Sequence, residues 1–192
     1  MLIPRPETEI LVETIINDYK ANGAVKILDI GVGSGCISLA LAKNLSNCEV
    51  HAIDISEDAV KVAAQNFSNH SADNKLRLFT GDIRNWEFEN TFDVIISNPP
   101  YVSKEEFITL QKEITEYEPY CAVTDNSDGL EFYRIISARI NSLLNPGGKV
   151  YFEVGKDQAE RVETILKQNG ITNIQKVKDL QGIERVVTGV KE

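Results

Sequence analysis

Five short apolar runs, Val25 to Ile30, Glu49 to Ile53, Leu76 to Phe79, Phe92 to Ile96 and Lys149 to Val154, alternate with stretches in which apolar residues recur at helical spacing. A strand buried on both faces reads as a near-continuous apolar run, and a helical crossover between two such strands makes them parallel. The alternation therefore dictates an α/β fold on a largely parallel sheet with helices on both faces. The helical stripes are Leu11, Ile15 and Tyr19, then Ile37, Leu41 and Leu45, then Ala59, Ala63 and Phe67, then Phe132, Ile136, Ile140 and Leu144, and last Ala159, Val162 and Leu166. Asn22-Gly23, Asn145-Pro146-Gly147-Gly148 and Asn169-Gly170 are helix stops, while Ser56 followed by Glu57 and Asp58 is a helix start. Val102 to Ser127 has the least regular pattern.

The carboxyl end departs from this rhythm. Ile174 to Lys178 and Glu184 to Val190 are strand-like but joined by too few residues for a parallel crossover, so they pair antiparallel. The expectation is a seven-stranded Rossmann-like sheet, six strands parallel and the last reversed, in one unit over residues 1–192. A chain of 192 residues can bury roughly 70% of its unfolded surface and needs no disulfide or metal for stability. Cys36, Cys48 and Cys121 are odd in number and lack paired spacing, so they read as buried thiols. His51 and His70 are isolated and Trp86 reads as packing, so no metal site is expected. With 20 Lys+Arg against 29 Asp+Glu, the net charge of -9 disfavours polyanions as partners. No apolar run is long enough to span a membrane and no leader pattern opens the chain, which predicts a cytoplasmic protein.

Chemistry concentrates where strands end. Asp29-Ile30-Gly31-Val32-Gly33-Ser34-Gly35 lies between the first strand and a helix, where backbone amides are expected to face the crevice and glycines let a ligand approach the main chain. Asp54 closes the second strand about 20 residues later, where an acidic side chain accepts from ribose hydroxyls. Asp82 follows the third strand and can accept from an adenine amino group, with Ile83 on the ring. Taken singly, each has a plain structural reading as a turn or cap residue. Together they describe a site for an adenosine-containing ligand. A nicotinamide is disfavoured, because Cys36 stands where G-x-G-x-x-G requires its third glycine.

The fourth strand runs into Asn98-Pro99-Pro100-Tyr101. Prolines give a stiff turn without N–H groups, leaving carbonyls free to accept. The Asn98 side-chain oxygen and the Pro99 carbonyl suit the two hydrogens of a planar NH2 group, and Tyr101 offers a flat face. Gripping both hydrogens beneath an electrophilic methyl favours attack by an otherwise poorly nucleophilic nitrogen.

Asp29 to Gly35, Asp54, Asp82 and Asn98 to Tyr101 together resemble class I S-adenosylmethionine-dependent methyltransferases acting on amino or amide nitrogen. Leu2-Ile3-Pro4-Arg5-Pro6-Glu7-Thr8-Glu9, Glu118-Pro119, Asp128-Gly129-Leu130, Glu153-Val154-Gly155 and Glu184-Arg185-Val186 are similar to stretches of the protein-(glutamine-N) methyltransferases that modify peptide chain release factors and tune translation termination. The resemblance covers essentially the whole chain. It implies methylation of the glutamine in a Gly-Gly-Gln loop, with S-adenosylhomocysteine as product and a release factor, not nucleic acid or membrane, as partner. It also implies that Asp29, Gly31, Val32, Gly33, Ser34, Gly35, Asp54, Asp82, Ile83 and Asn98 hold the cofactor, and that Asn98, Pro99, Pro100 and Tyr101 hold the glutamine, with Asn98, Pro99 and Tyr101 doing the catalysis.

The sequence departs from that family in two places. Val32 stands where many relatives have threonine, leaving its backbone amide as the contact, and the small helical domain that usually precedes the Ile-Pro-Arg-Pro opening is missing. The chain is thus expected to be a catalytic-domain fragment or a shortened member. Asp29 either orients the methionine ammonium or fixes the glycine turn; Arg5 either steers an acidic group or is a surface cation; Glu116 and Glu118 either repel nucleic acid or form a solvated face. Two other functions fit some of the residues: an adenine-amino DNA methyltransferase, whose flipped base suits the same pocket, and a cofactor-binding module without turnover.

Overall fold

The computed structural model describes residues 5–21, 23–72 and 75–192. Leu2, Ile3 and Pro4 of the opening motif and Asn22 of the first helix stop lie outside them. Strands β1 (Val25–Ile30), β2 (Cys48–Asp54), β3 (Leu76–Thr80), β4 (Phe92–Ser97), β5 (Leu144–Glu153), β6 (Ile171–Lys178) and β7 (Glu184–Lys191) form one seven-stranded sheet in the order β3-β2-β1-β4-β5-β7-β6. β7 pairs antiparallel with both β5 and β6, so it alone runs against the other strands, as expected. The long helices are α1 (Thr8–Tyr19), α2 (Cys36–Asn44), α3 (Glu57–Asn69), α7 (Glu131–Leu143) and α8 (Ala159–Gln168). The irregular stretch after β4 holds three short ones, α4 (Lys104–Phe107), α5 (Lys112–Tyr117) and α6 (Tyr120–Val123). Among the described residues no helix is long and apolar enough to cross a membrane.

The side-chain period of two along each central strand divides the core into two layers. Ile27, Val94, Ile96 and Tyr151 pack toward Leu11 and Ile15 of α1 and Ile37 and Leu41 of α2. Leu28, Ile95, Val150 and Phe152 face the opposite way, toward Tyr133, Ile136 and Ile140 of α7 and Val162 and Leu166 of α8. Both faces are covered, which is why the buried parts of β1, β4 and β5 read as mostly apolar runs, whereas the edge strand β6 mixes buried and exposed positions.

Two details differ from the sequence reading. Leu144 does not continue the α7 stripe. It opens β5 and pairs with Phe92, and the ladder shifts register before resuming at Val94 and Lys149, so Asn145-Pro146-Gly147-Gly148 is a bulge within a longer strand. Asn145 anchors that bulge by donating from Nδ2 to Asp93 at 2.8 Å. The cysteines are not all buried: Cys48 is, Cys36 is half-buried, and Cys121 is exposed, because short α6 buries only Val123.

Gly35 caps α2 at φ 78°, and a Cβ there would stand 2.6 Å from the Phe67 ring and 3.1 Å from Ala63 Cβ. Left-handed backbone and steric overlap both oppose a side chain at this position. Gly35→Ala is expected to lower unfolding stability by about 2 kcal/mol or more, read as an earlier urea midpoint; an unchanged midpoint would contradict this packing.

Candidate active site

The carboxyl ends of β1, β2, β3, β4 and β5 lie along one edge of the sheet. Chain order along the sheet reverses between β1 and β4, because β2 and β3 extend one way and β5 the other. The crevice at such a reversal is where open α/β sheets bind ligands. An open cavity of about 230 Å³ occupies it, lined from β1's glycine turn, the end of β2, the residues after β3 and the residues after β4.

Gly31 (φ 79°) and Gly33 (φ 53°) line this cavity, and beyond the adjacent residues of the chain no atom lies within 4 Å of where a Cβ would stand on either. The backbone there is folded for close approach by something else. The amides expected to face the crevice are partly spent, however. Gly31 N–H and Val32 N–H donate to Ile53 O at 2.8 and 3.1 Å, and Gly33 N–H donates to Asp54 Oδ2 at 2.9 Å. The turn is sewn to β2, so the Val32 amide is not left for a cofactor. Ser34 lines the cavity, and its carbonyl accepts from Asn66 at 2.9 Å. Asp54 also accepts from Ser56 N–H at 2.9 Å; each oxygen thus holds one backbone donor and keeps a lone pair for a ribose hydroxyl.

Asp82 and Ile83 form the next part of the wall. Asp82 Oδ1 accepts from the Arg84 backbone and from Arg84 Nε at 2.9 and 3.0 Å. Partial burial pushes its carboxyl up, but the Arg84 hydrogen bonds and charge outweigh that and hold it below the usual aspartate range. Ile83 is buried, and its carbonyl is held by the Arg139 guanidinium.

Asp29 lies deeper and does not line the cavity. It is fully buried, accepts from Ser38 Oγ at 2.6 Å, and has no partner for Oδ1. Burial pushes its carboxyl up to about 6 against the Ser38 hydrogen bond, and the negative charge of Asp54 pushes the same way. A buried carboxylate with an unused oxygen and no cation is incomplete until a positive group arrives. The methionine ammonium of S-adenosylmethionine is such a group, so the residues present fit that cofactor.

Asn98, Pro99 and Pro100 line the cavity from β4. Asn98 Nδ2 donates to Thr8 Oγ1 at 3.4 Å, while Asn98 Oδ1 is buried without a partner. Tyr101 is not brought to the wall with them. Its ring packs on Gly155, and its carbonyl accepts from Gln158 Nε2 at 2.7 Å. Burial pushes its phenol up to about 12, helped by the charge of Glu153.

Arg5 and Thr8 also line the cavity, where the guanidinium of Arg5 pairs with Glu118 just before α6. Arg5 is therefore not a bare surface cation, and Glu118 is not part of a solvated face: it is 8% exposed, whereas Glu116 is exposed. Pro119, Cys121 and Phe132 complete the wall. The apolar stripe gave Phe132 a core role and left no sign that the start of α7 reaches the site. His51 is buried, with Nε2 2.9 Å from Glu49 and its ring against Phe79 and Phe92, and Trp86 packs over Gly81. Among the described residues no three His, Cys, Asp or Glu side chains gather to hold a metal.

Comparison with known proteins converges on one family. Residues 6–117 match the family model described as methyltransferase small domain. The chain is 37% identical to a release factor glutamine methyltransferase of Clostridium acetobutylicum, over 100% of this chain and 68% of the relative. It is 43% identical to the one of Thermodesulfovibrio yellowstonii, over 97% of this chain and 67% of the relative, and 41% identical to that of Geobacter sulfurreducens, over 98% and 65%. It thus spans about two thirds of the length of these curated relatives. Among solved structures, a methyltransferase from Pyrococcus furiosus superimposes with a TM-score of 0.70 at 21% identity, covering 99% of this chain and 88% of that one. The ribosomal protein L11 methylase of Lactobacillus delbrueckii subsp. bulgaricus gives 0.70 at 19%, covering 99% and 81%. Strand order, a glycine turn tied to an acidic strand end, and whole-length identity agree: the chain belongs to the release factor glutamine methyltransferase family of S-adenosylmethionine-dependent enzymes.

Proposed function

We propose that this chain methylates the side-chain amide nitrogen of the glutamine in the Gly-Gly-Gln loop of a peptide chain release factor. The observation that carries the reading is the unpartnered Asn98 Oδ1 in the cavity wall, with the amide's other end turned toward Thr8. A glutamine carboxamide brings two N–H donors in one plane. One meets Asn98 Oδ1 and the other meets the Pro99 carbonyl, so the nitrogen is held at a fixed place and angle. Positioning of this kind can contribute about 7 to 11 kcal/mol to a rate.

S-adenosylmethionine bound in the crevice would supply an electrophilic methyl on a sulfonium; as the N–C bond forms the S–C bond would break to leave S-adenosylhomocysteine, and one proton of the methylated nitrogen would pass to solvent. Asp54 would accept from the ribose, Asp82 and Ile83 would hold the adenine, the turn from Gly31 to Ser34 would admit the chain of the methionine, and Asp29, from behind that wall, would draw its ammonium by charge. Tyr101 supports the grip from behind, through its carbonyl bond to Gln158. The net charge of -9 supports a protein substrate over a polyphosphate one. Supplying labelled cofactor with a release factor and with duplex DNA side by side tests the reading. Label on the Gly-Gly-Gln glutamine is expected; label on adenine, or on neither, would defeat it.

Asn98→Ala is expected to leave cofactor affinity largely intact while transfer falls by about a hundredfold or more, followed by isothermal titration and mass spectrometry. Transfer at the intact rate would contradict the grip. Asp29→Asn separates charge from shape. Because the folded carboxyl titrates at about 6, above its unfolded value, folding takes up a proton in the window between the two values. That stabilisation is present at low pH and is lost as pH rises through the folded value. Between about pH 5 and about pH 7 the intact chain is expected to lose about 1 kcal/mol of stability that the Asn variant keeps. The Asn variant should also bind the cofactor more weakly. Parallel pH dependences of the two urea midpoints would contradict this role.

A further inference from the structure

Glu153 is the last residue of β5, is 2% exposed, and does not line the cavity. The ladder between β4 and β5 pairs Ser97 with Phe152, which sets Asn98 and Glu153 side by side at the next step. Two residues back, Ile96 and Tyr151 both face the layer of α1. The period of two sends Asn98 and Glu153 toward the same layer, where Thr8 opens α1.

We propose that Glu153 is a positioning residue that, through Thr8, fixes which end of the Asn98 carboxamide faces the substrate glutamine. The inference rests on the reading of Asn98 as the grip on the amide. The polarity of the contacts carries it. Asn98 Nδ2 donates to Thr8 Oγ1 at 3.4 Å, and the Thr8 and Asn98 side chains lie close enough to the Glu153 carboxyl to favour its charged form. An ionised carboxyl can only accept, so it draws the Thr8 proton toward Glu153 and leaves a Thr8 lone pair for Asn98 Nδ2. Asn98 Oδ1 is then left for the cavity. A protonated Glu153 can donate to Thr8 instead. The Thr8 proton is then released toward Asn98, and the carboxamide no longer has a preferred face.

Among the described residues no cation ties Glu153 down. Arg185 on β7 lies near it but is committed to Asp179 at 2.9 Å, Glu7 ahead of α1 faces it with like charge, and Tyr133 on α7 donates at 2.7 Å to the Glu153 backbone carbonyl, not to its carboxyl. Tyr101, on the loop after β4, also faces it. Oε2 has no partner. Burial pushes the carboxyl up to about 7, against the Thr8 hydrogen bond, with Glu7 raising it and Arg185 and Asn98 lowering it. The switch of polarity therefore falls within the working pH range.

The test uses the intact chain, Glu153→Gln, Glu153→Asp and Thr8→Val. In the intact chain kcat is expected to rise about tenfold from pH 6 to pH 8 as the carboxyl ionises. Glu153→Gln and Thr8→Val should be lower at pH 8 by about 10- to 100-fold and flat with pH, at unchanged cofactor affinity, while Glu153→Asp regains the rise. The side-chain amide resonances of Asn98, assigned by their loss in Asn98→Ala, should titrate with a midpoint near 7 in the intact chain and stay still in Glu153→Gln. A Glu153→Gln enzyme with the intact profile, or one that loses cofactor affinity along with transfer, would overturn the inference. If that variant does not fold, an Asn98 resonance that ignores pH in the intact chain overturns it. The resonance readout needs no substrate, so failure of the intact chain to methylate a release factor counts against the functional reading alone.

Discussion

The site exists because β1 and β4 are neighbours in parallel register. Ile30 stands opposite Ser97, and the Ser97 hydroxyl donates to the Ile30 carbonyl at 2.7 Å, a buried bond that locks the two strand ends level. One residue further on, each strand releases a turn of opposite character. β1 gives a glycine turn open to close approach, and β4 gives an asparagine whose Oδ1 has no partner, followed by two prolines that can only accept. A one-residue slip in that pairing would send every side chain of β4 to the other face and carry Asn98 away from the crevice. Packing on both sides of the sheet, from Leu11 and Leu41 on one face to Tyr133 and Val162 on the other, holds the register.

Electrostatics inside this frame is spare. Two carboxyls, Asp29 and Glu153, sit behind the cavity with burial raising both, and neither has a cation of its own among the described residues. Each also leaves one oxygen without a partner. Such groups weaken a fold, and their presence at the ends of β1 and β5 fits a protein that completes its hydrogen bonding when ligands arrive. Asp54 is the counterexample. Both of its oxygens are engaged by backbone N–H groups, so it holds the glycine turn whether or not a ribose is present.

The strands and long helices were legible because burial on two faces leaves an apolar run and burial on one leaves a stripe. β1 matches its expected span, and the buried set of α3 is the expected Ala59, Ala63 and Phe67. Legibility failed where long-range contacts decide. The pairing of Arg5 with Glu118 spans 113 residues and has no local pattern. Nothing in the turn's composition told that β2 would take the amides of Gly31, Val32 and Gly33. Leu144 kept helical spacing yet opened a strand, because its pairing with Phe92 outweighed one more turn of α7. Within Asn98-Pro99-Pro100-Tyr101 the first three residues reach the cavity wall, as their place at a strand end leads one to expect. The position of Tyr101 depended on Gly155 and Gln158, which no local pattern connects to it.

The central claim is that acceptors at the end of β4 grip a planar carboxamide. A crystal structure of the chain with S-adenosylhomocysteine and a glutamine-containing release-factor segment measures it directly. The glutamine side-chain nitrogen is expected at about 3 Å from both Asn98 Oδ1 and the Pro99 carbonyl. A glutamine held elsewhere in the crevice, with Asn98 Oδ1 still unpartnered, would contradict it.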